Sequence, residues 1–154
     1  MLKLKFIMLF FSSQINYCHL VWGTTTKTNI SRLMILRKKM LRFFVNFPYD
    51  THAEPLFLNH NVMKVSCVYD YRLLSSYLFS SAEFIAFLSV LSNLTKREFD
   101  INIRRKAFWN VPHFRTNYAL QSLVHNLPKL LNRFITDGVD IHCVTKKSLY
   151  AYFV

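Results

Sequence analysis

The chain has 154 residues, 52% hydrophobic and 16% aromatic, with 15 Phe and 8 Tyr, which excludes an intrinsically disordered polypeptide and allows one domain with a real core. Its formal charge is +12, and no Asp or Glu precedes Asp50, so one end attracts polyanions such as nucleic acid or anionic lipid. Cys18, Cys67 and Cys143 are odd in number and widely spaced, which supports neither a disulfide framework nor a Cys-x-x-Cys metal site and points to reduced, buried thiols in a cytoplasmic or nuclear setting.

Two glycines and four prolines leave few breaks, and the fold class expected is mainly α: a single helical domain, residues 1 to 154, of about five or six helices with one extended basic connector. Lys3 and Lys5 before the apolar run Phe6 to Phe11 imitate a secretory signal. The run is shorter than the usual hydrophobic region, and no clean cleavage site follows. The sequons Asn29-Ile-Ser31 and Asn93-Leu-Thr95 keep a secreted alternative open. No uninterrupted apolar stretch is long enough for a membrane-spanning helix.

The apolar residues from Leu2 to Trp22 predict a buried helix, with Tyr17 and Trp22 in the core and Gly23 as its left-handed cap. A second helix starts at a Thr28 or Asn29 cap, places Ile30, Leu33, Met34, Met40, Leu41 and Phe44 on one stripe, and stops at Pro48. Its opposite face is expected to present Arg32, Arg37, Lys38, Lys39 and Arg42, with no acid to form pairs three or four residues away. A loop covers Asn46 to Pro55. A third helix runs from about Lys64 to Phe79, and a fourth, Ala82 to Leu94, is apolar enough to be buried on most sides.

Residues 95–115 form the extended connector, basic and aromatic, carrying Lys96, Arg97, Arg104, Arg105, Lys106, Phe108, Trp109 and Arg115. Helices resume at Asn117 to Asn126, restart with Pro128 in a first turn, and close with Val144 to Phe153. No repeat, low-complexity segment or domain boundary is apparent.

Catalytic signals are sparse. Two glycines exclude a phosphate-cradling loop or a dinucleotide fingerprint, which need several at fixed offsets. The six histidines include no His-x-x-x-His pair and no cysteine at finger spacing, and the eight acids are never adjacent, so no metal and no cofactor is expected. Asp70, in Tyr69-Asp-Tyr71, reads as an exposed acid on a helix whose neighbours pack.

Several short motifs occur in an order that resembles the region after the polymerase core in non-LTR (LINE-type) retrotransposon reverse transcriptases. Tyr17, Cys18, Trp22 and Gly23 match a Tyr-Cys-x-x-x-Trp-Gly pattern. Leu33 to Lys39 echo Leu-x-x-x-Gln-basic-basic, with Arg37 where Gln is usual. Pro48 to Phe57 are similar to the family's His-x-x-Pro-Leu-Phe turn, and Arg115 to Phe134 to its Arg-Thr-Asn-Tyr-Gly and Leu-Pro elements, with Ala119 in place of Gly. The resemblance covers roughly residues 14–134. It implies a thumb and C-terminal connector that grips template-primer duplex.

The family's Tyr-x-Asp-Asp metal-binding motif, fingers, palm and endonuclease have no counterpart, which implies a non-enzymatic truncated element or a start at an internal Met. The expected role is sequence-independent binding of an RNA or DNA duplex backbone by Arg32, Arg37, Lys38, Lys39 and Arg42. Arg104, Arg105, Lys106 and Arg115 are secondary contacts, with Trp109 as a stacking platform. Two alternatives stand beside it. One is a small secreted or membrane-surface protein using the basic helix against anionic lipid. The other is a pseudogene product without selected function.

Overall fold

The structure, a computed structural model, describes residues 9–10, 12–17, 23–97, 108–141 and 143–154. The protein is mainly helical, and among the described residues the one β-type pairing is a single antiparallel bridge. In chain order the elements are α1 (Lys27–Val45), α2 (Glu54–Asn59), α3 (Val65–Phe79), α4 (Ala82–Leu91), a 3-10 turn (Ala119–Gln121), α5 (Leu123–Thr136) and α6 (Lys146–Phe153). Residues 9–10 and 12–16 are also helical. The remainder of the expected N-terminal helix, with Cys18 and Trp22, lies outside the described residues, and Tyr17, expected in the core, is exposed.

The chain divides into two compact units, residues 1–71 with 150–154, and residues 72–149. The division falls inside α3 and α6 rather than in a Pro- or Gly-rich linker, so no boundary signal exists in the sequence.

In the first unit, α1 carries its apolar stripe as expected, with Leu41 fully buried and Met34 packed against a cluster of Ala53, Leu56, Phe57 and Val62. Helix α1 begins after Thr26 without a side-chain cap, so the expected caps Thr28 and Asn29 lie inside its first turn, and Asn29 donates from Nδ2 to the Thr25 hydroxyl at 2.9 Å. The end of the stretch expected as loop opens α2, a short helix that runs on to Asn59 and carries Pro55 in its first turn, where a missing N–H costs nothing. Arg42 Nε donates to the Thr51 carbonyl at 2.8 Å and ties this loop back to α1. Lys64 and Glu54 form an ion pair. Tyr150 donates its hydroxyl to the Asn61 carbonyl at 2.9 Å, and its ring meets Tyr71 edge to face.

In the second unit, α4 is not the buried helix its composition suggests. Leu88 is buried, but Phe87, Leu91 and Val90, the last 81% exposed, face outward. Among the described residues only one side of the helix is buried, and apolar content alone does not create a second. Helix α5 runs unbroken through Pro128, which is buried inside it rather than opening a new first turn. A proline at this sixth helical residue forfeits one bond, to Val124, and the burial of Leu127, Leu130, Leu131 and Phe134 on the same side outweighs that loss. Thr145 and Ser148 cap α6 reciprocally, each side chain accepting from the other's backbone N–H at 3.2 and 3.0 Å.

Four helix exits follow one pattern. After α1, α2 and α4 the chain turns through Asn46, Asn61 and Asn93, each at positive φ, and after α5 through Gly138. The next residue's N–H bonds back to a carbonyl five positions earlier at all four exits: Phe47 to Arg42, Val62 to Phe57, Leu94 to Ser89 and Val139 to Phe134.

Candidate nucleic-acid interface

The basic row of α1 differs from expectation at its centre. Arg37 is 4% exposed, whereas Arg32 and Lys39 are open to solvent and Lys38 and Arg42 are half-buried. The reason is periodicity. Arg37 stands three and four residues from Met34, Leu33, Met40 and Leu41, so it falls within the apolar stripe, while Arg32, Lys39 and Phe43 share the other side. Arg37 Nε and Nη1 have no hydrogen-bond partner, and burial lowers the guanidinium's pKa, opposed by the nearby Tyr150 phenol. Arg37 therefore does not belong to the exposed cationic row.

The other four cations differ in freedom. Arg42 is held by Thr51, and Lys38 lies close enough to Glu54 to add to the effect of Lys64 on that carboxyl, which sits below the ordinary carboxylate range. Lys39 Nζ and Arg42 Cζ lie 5.8 and 5.7 Å from the centre of the Tyr49 ring. Tyr49 is 72% exposed and was not among the sequence candidates. The signal for it was the turn Asn46-Phe-Pro-Tyr-Asp50 just beyond the basic helix, which returns its aromatic residue to the helix end. No Asp or Glu occurs within α1. The same outward side also carries Ile35, Leu36 and Phe43, the last 77% exposed, so the surface is cationic and apolar together.

The second group of candidates is only partly described. Arg104, Arg105 and Lys106 lie outside the described residues, and Arg115 is exposed. Lys96 pairs with Trp109 across the antiparallel bridge, with the Arg97 N–H on the Phe108 carbonyl and the Asn110 N–H on the Thr95 carbonyl, both at 3.0 Å. This is the narrow type of pair, in which the bridged residues aim their own N–H and C=O away from each other. On its outer edge, Trp109 finds Asn132 of α5: its N–H donates to Oδ1 and its carbonyl accepts from Nδ2, both at 2.8 Å. The Trp109 ring is half-buried and its Nε1 is buried without an acceptor, an arrangement suited to packing rather than to an open platform. Phe108, not Trp109, is the outward ring.

No group of His, Cys, Asp and Glu among the described residues is placed to hold a metal ion, and no helix among them is long and apolar enough to cross a membrane. The two described cysteines depart from the buried expectation: Cys67 is half-buried and Cys143 exposed, with its thiol pKa raised by a hydrogen bond to Asp140. Asp70 is half-buried rather than exposed. No known protein family, curated protein or solved structure matches this chain.

Proposed function

We propose that this chain is a non-catalytic nucleic-acid-binding protein of the cytoplasm or nucleus that holds an RNA or DNA duplex by its backbone, akin to the thumb of a non-LTR reverse transcriptase separated from its polymerase centre. The observation that carries this reading is α1, a 19-residue helix without a single acid, with Arg32 and Lys39 open to solvent, Lys38 and Arg42 half-buried at its flank, and Tyr49 near both Lys39 and Arg42. Cations on one helix neutralise successive phosphates and release their counterions, giving affinity without base readout. The ordered motifs between Tyr17 and Phe134 support the family link.

The test is the salt dependence of duplex binding by the full chain. Affinity should fall steeply, with a log-log slope of about 0.9 for each DNA phosphate contacted. Arg32→Ala with Lys39→Ala should reduce that slope, and Arg37→Met should not. Affinity that stays flat from low to physiological salt would sink the proposal.

Exposed Ile35, Leu36 and Phe43 on the same side favour one second reading, an anionic lipid surface entered by the apolar side chains. Stronger binding to phosphatidylserine vesicles than to duplex at equal salt, lost on Phe43→Ser, would make the lipid reading the better one.

A further inference from the structure

Phe108 is 45% exposed, although a large apolar ring normally gains most by burial. It is nonetheless firmly placed. Its carbonyl accepts from the Arg97 N–H, its ring stands edge to face with Trp109 at 5.4 Å, and the Asn132 amide holds both the N–H and the carbonyl of Trp109. Lys96 Nζ lies 5.5 Å from the Phe108 ring centre, and the next residue, Arg97, is exposed. An exposed aromatic ring on a pinned backbone, with one cation at the ring and a second on the neighbouring residue of the bridged strand, is the combination by which single strands are held: a base stacks on the ring and adjacent phosphates meet the cations.

From this geometry we infer that Phe108, Lys96 and Arg97 form a binding site for single-stranded nucleic acid, Phe108 stacking on an unpaired base and the two cations contacting its flanking phosphates. The inference rests on the reading of the chain as a nucleic-acid binder, but on a surface of residues 72–149 distinct from α1. Every base has a flat face, so the site accepts any sequence and discriminates base from no base. Trp109 serves it indirectly, by fixing the ring.

The experiment compares, by fluorescence anisotropy with the full chain, an oligo-dT strand and an abasic strand of equal length and charge, about 12 nucleotides, within the span single-strand sites cover. The wild type should bind the base-bearing strand on the order of tenfold more tightly, the effect expected of one stacked base. Phe108→Leu, which keeps an apolar contact with Trp109, should erase that preference, and an unchanged circular dichroism spectrum would show that the variant folds. Arg32→Ala with Lys39→Ala should weaken duplex binding and leave the preference for bases intact. Equal affinity of the wild type for both strands, or a preference that survives Phe108→Leu, overturns the inference while leaving the α1 proposal standing. A preference that persists when duplex affinity proves insensitive to salt supports the single-strand site and removes the thumb reading instead.

Discussion

At Arg37 a full positive charge is held out of water with Nε and Nη1 lacking acceptors, and burial outweighs the opposing effect of the nearby Tyr150 phenol, an arrangement that opposes folding. Arg37→Met, similar in volume and apolar, should therefore stabilise the protein by about 1 to 4 kcal/mol, seen as a higher midpoint in urea with an unchanged slope. Glu54 gives the opposite case. Its pKa is lowered, chiefly by the hydrogen bond from Lys64, so the pair's contribution is present above the ordinary carboxylate range and is lost as pH falls through the depressed value. Both side chains remain in contact with solvent, Lys64 at 36% and Glu54 at 57% exposure, so the contribution is small. Lys64→Met should return the Glu54 titration, followed by carboxyl NMR, toward ordinary values. The burial of Arg37 was legible in the sequence, since counting threes and fours from Leu33 and Met34 leads to it. Grouping α1 by charge rather than by helical position hid it. The exposure of Tyr17 and Cys143 was not legible, because it depends on which neighbours reach them.

Among the elements, Asn132 joins the connector to α5 by standing in for a third strand. Asn132→Ala would leave the Trp109 N–H and carbonyl without partners, at about 1 to 3 kcal/mol for each group that water does not reach. Thermal unfolding should register the loss, and Asn132→Asp, which keeps the acceptor but not the donor, should fall between the two. Helices α1, α3 and α4 were readable as helices from apolar spacing and from breakers, although in α4 apolar content overstated how much of the helix is buried. Helix α2 was not: six residues are too few to show a period, and its start rests on Pro55 and on Phe57 reaching the Leu41 cluster. Pro128 misled in the other direction. It marks a break by local rules, whereas the buried residues around it hold one continuous α5.

For the whole molecule, charge rather than fold decides what partners approach. A net charge of +12, with no acid among the first 49 residues, makes association with polyanions fast at low salt and slow at high salt. Stopped-flow measurements with duplex should show the on-rate falling with ionic strength more steeply than the off-rate rises. Helical class was legible from composition and periodicity; the division at residues 71 and 149 was not, since it cuts through helices that carry no local mark of it. The four helix exits bear on the unfolded chain as well. Asparagine at Asn46, Asn61 and Asn93 reaches the left-handed turn that glycine supplies at Gly138, but it wanders over fewer backbone states when the chain is loose. A polypeptide with only two glycines thus gives up less disorder on collapsing than one whose turns were all glycine, and its bends are partly chosen before any core exists.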